Sequence, residues 1–477
     1  MLCFKYNGAG ISPDSVEYLS IARNFHNHLQ LNDLSAQPVV NFPCLYPLFL
    51  GTAFTLTGVD PLIAAPFINA FLFSGVVFLS GQLTYRFTHD RVYQWVVLVT
   101  VLLSGVLQQV YTMLWSETLF IFFALLFIQA YLNYKTKNTF KSLLILAIIA
   151  AVTSVVRYAG ITLIATGLLM ILIDPKQDTS RKRNHFICFG LLASSLLIVN
   201  LCRNYFLTQT FTGWRESGST PITENIGYYG DIIHSWLMLP GSGYYLTLGI
   251  GILVLLFTLA ISLRIAILKK NREAGFMVIP AFFLVYSFFI IFLASALRFE
   301  QIDDRLLAPL YVPLIIMLIN VLYLIVRSKK SKPVIYGTVI AFALYINYNQ
   351  ASDYIDWHKL AAEYGIPGFT DVYWQRSEIA TFLRSDKFRP NQNLPNYSNW
   401  NEAVYFFSGK SCKLIPHYLS SEQKEKFSKA KGFYLIWFDH LSDNDQAELI
   451  SLKEISKIKK LVKISQFSDG SIFLCDQ

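Results

Sequence analysis

Charge is what this chain has least of. Only 15% of its 477 residues are Asp, Glu, Lys or Arg, against about 25% in an ordinary soluble protein. Hydrophobic residues make up 54%, and the mean hydropathy is +0.42. Those values exclude a single soluble globule. Six cysteines are present, and none has metal-site spacing. Cys188 and Cys202 fall in an apolar run and read as small core residues. Cys412 and Cys475 share a polar tail where a disulfide is permitted, but spacing does not pair them. There is no internal repeat of hydropathy and no matched pair of Gly/Pro-broken apolar segments, which counts against an inverted-repeat transporter. No signal peptide precedes the first apolar run.

What is present is a ladder of apolar runs. Ten candidate spans fall near 62–85, 92–110, 117–134, 141–156, 158–173, 186–206, 244–267, 276–297, 306–326 and 333–347, each in the range of roughly 16–25 residues that a span needs. A further apolar piece at 45–58 is short and carries Pro47, so it reads as interfacial or re-entrant. With that piece left out, the loops 86–91, 135–141, 174–185, 268–275 and 327–332 share one side and hold sixteen lysines and arginines. By the positive-inside rule that side is the cytoplasm. The expected fold class is therefore mainly α: a polytopic bundle over 1–347, with interfacial helices in 1–61, followed by a small extracytoplasmic α/β domain over 348–477. The setting is the inner (plasma) membrane. An outer N-terminus without a leader is hard to insert, so one more transmembrane helix is expected upstream of Met1; direct translocation of a short arm is the other route.

The net charge of +9 is a sum of unlike parts. The cytoplasmic loops are basic for topological reasons, and the tail 348–477 balances 16 basic against 16 acidic residues. Neither part has the footprint of a nucleic-acid partner. In the tail, 403–407, 432–438 and 471–474 read as strands, and 421–430 and 445–461 as charged helices.

Sorted by side, eleven acids outside the tail face out and four face in, so chemistry is expected on the outer face. Ser12 is a helix N-cap and Pro13 the first helical residue. Asp14, Glu17 and Tyr18 then share one face at i, i+3 and i+4. Val16, Leu19, Ala22 and Phe25 lean the other way, which suits a helix lying on a membrane. Glu117 opens a span, where the helix dipole favours a carboxylate; it is either a plain helix-start acid or an acid facing a cavity. Arg157 occupies a one-residue outer turn, either snorkelling to headgroups or holding an anion. Arg298-Phe-Glu-Gln-Ile-Asp-Asp-Arg305 is the densest charge cluster of the membrane part. Its arginines suit bidentate phosphate binding, unless they pair with Glu300, Asp303 and Asp304. His26 and His28 lie two apart on a helix and do not share a metal.

Taken in order, Asp14-Ser-Val-Glu-Tyr18, Tyr46-Pro-Leu-Phe-Leu50, Ser116-Glu117, Arg157-Tyr-Ala-Gly160 and Asp304-Arg-Leu-Leu-Ala-Pro309 resemble the GT-C superfamily of glycosyltransferases. The likeness is nearest the bacterial protein O-mannosyltransferases and lipid A aminoarabinose transferases. It implies a polyprenyl-phosphate sugar as donor, a lipid, glycan or protein as acceptor, and membrane lipids as surroundings. It maps the catalytic aspartate onto Asp14 and an assisting acid onto Glu117. It maps the lipid-phosphate site onto Arg298, Arg305 and Arg157, with Glu17 and Tyr18 among the substrate-binding residues. A divalent metal is left open as a cofactor. Two departures stand out: Ser15 follows Asp14 where many relatives carry adjacent acids, and the family's first span is missing. The alternative is a transporter or flippase of a lipid-linked or anionic substrate; a non-catalytic sugar-binding scaffold is a third reading.

Overall fold

The computed structural model describes residues 8–174, 177–213, 215, 218, 220–268, 273–297, 301–328, 332–391, 393–418, 420–439 and 449–475. These form two compact units that are discontinuous in sequence. One contains residues up to 39, 47–66 and 360 onward; the other contains 40–46 and 67–359.

The second unit is helical. Among the described residues, six helices are long and apolar enough to cross a bilayer: Pro61–Thr88, which begins in the first unit, Glu117–Lys137, Thr179–Thr208, Tyr244–Ile267, Val278–Ala296 and Asp304–Ile325. The run expected as a span at 92–110 is broken. Helices Arg91–Leu102 and Gly105–Thr112 meet at 49°, because Ser104 caps a new helix start, its hydroxyl accepting from the Leu107 N–H. The runs at 141–156 and 158–173 correspond to the helix Phe140–Val156, at the short end of what a straight crossing takes, and to a 3-10 turn running into the shorter helix Ile161–Leu172. Irregular backbone at such breaks must find partners inside the protein. Here the buried Asn69 side chain donates to the carbonyls of Tyr111 (3.0 Å) and Met113 (2.8 Å).

The first unit joins the N-terminal helix to the tail. Helix Pro13–His28 begins where the sequence places it, with Ser12 and Ser15 forming a reciprocal cap. Its apolar face is not open to a membrane. Val16, Leu19 and Ala22 are fully buried, and Gly51 of the helix Leu45–Thr57 sits so close that an added Cβ would lie 2.9 Å from the Phe25 ring. The surface-lying reading of this face is corrected: the amphipathic pattern serves packing against protein.

The tail carries a five-stranded sheet in the order β2-β1-β3-β5-β4, where β1 is Asn396–Ser398, β2 Lys413–Leu414, β3 Phe433–Phe438, β4 Leu461–Phe467 and β5 Gly470–Cys475. β1 pairs parallel with β2 and β3, and β5 antiparallel with β3 and β4. Phe427, Phe433, Leu435 and Ile455 form its core. The strand expected at 403–407 is instead the helix Asn401–Ser408. Ala403, Val404 and Phe407 are buried at helical spacing, and Gly409 closes the helix at φ 66°, so tertiary packing overrides the β-propensity of Val-Tyr-Phe-Phe. Of the helix expected at 445–461, residues 440–448 lie outside the described set, Leu452–Ile458 is helical, and Leu461 already begins β4. Cys412 adjoins β2 and Cys475 ends β5, with β1 and β3 between those strands. Three strand spacings are about 14 Å, twice what a disulfide can bridge. Neither cysteine forms a disulfide.

Candidate functional site

In the helical unit, three residues singled out from sequence meet at one point. Trp115-Ser116-Glu117 stands where the bracing by Asn69 ends and a span begins. The Thr118 N–H and hydroxyl both donate to Trp115 O, and Tyr111 OH donates to Thr118 O, which turns the chain into the helix. Arg157 ends the helix Phe140–Val156 in extended conformation, and the 3-10 turn Tyr158–Gly160 follows. That turn folds back so tightly that a Cβ on Gly160 would lie 2.5 Å from the Ser154 Cα, so only glycine fits. Tyr158 OH donates to Val40 O at 3.0 Å and accepts from the Asn204 side chain at 3.0 Å, fixing the turn laterally. Arg305 lies in the first turn of Asp304–Ser328, whose start is capped by Asp303 through the Leu306 N–H at 2.9 Å.

Glu117 is the centre. Its side chain is 1% exposed, and Oε1 accepts from Arg157 Nη1 at 2.6 Å and from Arg305 Nε at 2.5 Å. Ser116 Oγ accepts from Arg157 Nη1 at 2.9 Å and leans on Glu117 Oε2 at 3.4 Å. The Arg305 guanidinium also lies over the Trp115 ring, 4.4 Å from its centroid. Two half-buried guanidiniums therefore share one carboxylate. Desolvation pushes the neighbouring Asp303 carboxyl above its ordinary range, against the opposing pull of Arg305. Asp304 faces elsewhere and accepts from Trp236 Nε1 at 2.7 Å. Two guanidiniums held side by side in this way suit an anion with several oxygens.

Arg298 and Glu300 lie outside the described residues. Asp14, Glu17 and Tyr18 belong to the other unit. Asp14 sits in the first turn of its helix, and Tyr18 is buried at 3% exposure. Glu17 is half-buried, accepts from the Leu34 N–H, and feels the charges of Asp33, Glu402 and Asp14. Its carboxyl is held well above the usual carboxylate range by desolvation first and by Asp33 and Glu402 next. The sign of the consequence is fixed. Below the ordinary carboxylate range the group is protonated in both states and costs nothing. As pH rises through that range towards the raised folded value, the unfolded chain ionises first and stability falls. Glu17→Gln is thus expected to flatten this loss of stability with rising pH, read as melting temperature against pH; an unchanged slope would show that Glu17 does not set it.

Sequence reasoning missed several supports. Asn69, Tyr158, Asn204 and Trp115 brace the triad, yet an isolated polar residue in an apolar run carries no local signal of its partner. In the first unit, Arg23 donates to Asp60 at 2.8 and 3.2 Å and also to the Tyr405 hydroxyl, tying the first helix to the tail helix. Among the described residues, no group of three or more His, Cys, Asp or Glu is arranged to hold a metal ion.

No protein-family model and no curated protein matches the chain. Solved structures do. ArnT from Cupriavidus metallidurans in the apo state aligns with a TM-score of 0.61 at 9% identity, over 99% of this chain and 95% of that one. The same protein bound to undecaprenyl phosphate aligns with a TM-score of 0.59 at 10% identity and the same coverage. The archaeal oligosaccharyltransferase AglB from Archaeoglobus fulgidus, in complex with an inhibitory peptide and a dolichol-phosphate, aligns with a TM-score of 0.53 at 10% identity, over 91% of this chain and 66% of that one. Identities this low speak for architecture and nothing finer, and the architecture is shared: this chain has the GT-C fold.

Proposed function

We propose that this chain is a membrane glycosyltransferase that moves a sugar from a polyprenyl-phosphate donor to a lipid, glycan or protein acceptor at the outer face of the inner membrane. The observation that carries the reading is the pair of arginines held side by side on one buried glutamate. The likeness to structures holding undecaprenyl phosphate and dolichol-phosphate supports a lipid-linked donor. Arg157 and Arg305 hold the donor phosphate, with Arg298 as a third basic group. Glu117 orients both guanidiniums. Asp14 takes the proton from the acceptor nucleophile as it attacks the anomeric carbon. The bond from that carbon to the phosphate oxygen breaks with inversion, and the arginines stabilise the charge developing on the leaving phosphate. The ten-span topology, with residues 348–477 outside, belongs to this reading and keeps the lipid tail in the bilayer.

The test is direct. Purified protein in lipid nanodiscs is supplied with a radiolabelled polyprenyl-phosphate sugar and an envelope extract as acceptor source. Label should leave the polyprenyl phosphate and appear on acceptor or as free sugar. Arg305→Ala should weaken binding of polyprenyl phosphate about 10- to 100-fold, the loss of a charge-assisted hydrogen bond. Intact donor crossing the bilayer without sugar release would instead identify a flippase.

A further inference from the structure

The start of the helix that carries Asp14 is gripped by a strap from the other end of the chain. Phe369 N–H donates to Ile11 O at 2.8 Å. The Thr370 hydroxyl donates to Ala9 O at 3.2 Å. Gly368, next to them, holds φ +109°, and a Cβ there would lie 2.1 Å from Ile11 O. Neither the backbone conformation nor the space admits a side chain at this position. Ala9 and Ile11 are fully buried, so their carbonyls depend on these donors in place of water.

The strap is itself immobilised. Phe369 is 2% exposed, and its ring lies 5.1 Å from Trp374 and 5.5 Å from Trp400. Asp371 caps the helix Val372–Arg376 through the Trp374 N–H at 3.1 Å, and its own N–H returns to Gly368 O at 3.0 Å. On the receiving side, Ile11 is followed at once by Ser12, the helix cap, and Asp14 lies one residue beyond Pro13. A displacement of Ile11 O therefore carries the first helical turn with it. A reacting group misplaced by about 1 Å can lose roughly 100-fold in rate.

We infer that Gly368, Phe369 and Thr370 are positioning residues for the Asp14 carboxylate: the tail sets where this helix begins, and so where the acid lies. The inference rests on the reading of Asp14 as the base. It gives the tail a task that its sequence does not display, since no chemistry of its own is needed.

The test uses the full chain in nanodiscs with the labelled donor. Gly368→Ala and Thr370→Val should lower kcat, the former by about tenfold or more, while donor KM stays within about twofold of wild type, because the donor phosphate is held by the arginines. Thr370→Ser keeps the hydroxyl and should restore kcat. Gly409→Ala is the control for backbone strain alone. It also sits at positive φ (+66°) but with nothing within 4 Å of the added carbon, and it should leave kcat unchanged. Amide exchange at Val16, whose N–H donates to Ser12 O at 3.1 Å, should quicken in Thr370→Val and not in Thr370→Ser. Wild-type kcat in Gly368→Ala and Thr370→Val, alongside an inactive Asp14→Asn, overturns the inference and leaves the base intact. Full activity in Asp14→Asn overturns the base, and with it the catalytic purpose of the strap. Should Gly368→Ala fail to fold, the Thr370 pair decides alone.

Discussion

Glu117→Ala is expected to cost the folded protein about 3–5 kcal/mol, because it takes from two half-buried guanidiniums the carboxylate they share. The carboxylate is 1% exposed, and the Arg157 and Arg305 side chains are 17% and 13% exposed, so water replaces it only in part. The loss should be larger than for either arginine singly, since each removal of an arginine still leaves Glu117 paired with the other. A double-mutant cycle of Glu117→Ala with Arg305→Ala should show strong coupling: once the glutamate is gone, deleting Arg305 removes a repulsion and recovers part of the stability. Thermal unfolding in detergent reads all three variants. A Glu117→Ala protein that melts with wild type would mean that the triad does not hold these helices together. Glu117→Gln keeps the shape and one acceptor oxygen, so its deficit should be smaller and should grow at low ionic strength, where the unbalanced arginines repel most.

The largest effect on activity is expected at Asp14. Asp14→Asn should lower transfer by about 10²–10⁴-fold, the usual worth of a general base, with donor binding unchanged. The helix cap does not depend on this carboxylate. The start of the helix is closed by the two serines, Ser15 N–H to Ser12 Oγ at 3.4 Å and Ser12 N–H to Ser15 Oγ at 3.1 Å. Neither bond uses the Asp14 carboxylate, and asparagine is well tolerated near a helix start. Melting temperature should therefore match wild type while product formation falls. Wild-type turnover in Asp14→Asn would remove the assignment; loss of folding would point to a structural role for the acid.

The helices were legible because each has a local signature. Ser12-Pro13 opens one and Ser116-Glu117 another, and a run of some twenty apolar residues leaves few alternatives to a span. The three residues of the charge triad could be nominated for the same reason: a charge at the end of a greasy helix is costly and calls for a partner. What could not be read was who the partner is. Arg305 has three acids within five residues along the chain, yet it also pairs with Glu117, 188 residues away. Helix 401–408 was misread because the β-propensity of its aromatics is a statement about surroundings, and the surroundings turn out to be a helix packed at spacings of three and four. The broken pair at 102–105 was invisible for a different reason. Ser104 looks ordinary inside an apolar run until its hydroxyl is seen capping the next helix.

The strap also bears on biogenesis. Thr370 meets Ala9 across 361 residues of chain. At translation speeds of about 10 residues per second, the first helix waits on the order of half a minute for the segment that completes it. During that interval the first helix lacks the tail helix Asn401–Ser408 that packs on it, a surface that insertion chaperones recognise and proteases cleave. Synthesis of the last quarter of the chain is then a checkpoint. A nascent protein truncated before residue 368 would hold its spans in the membrane but leave the helix bearing Asp14 unanchored, so incomplete chains would be inserted and yet inactive.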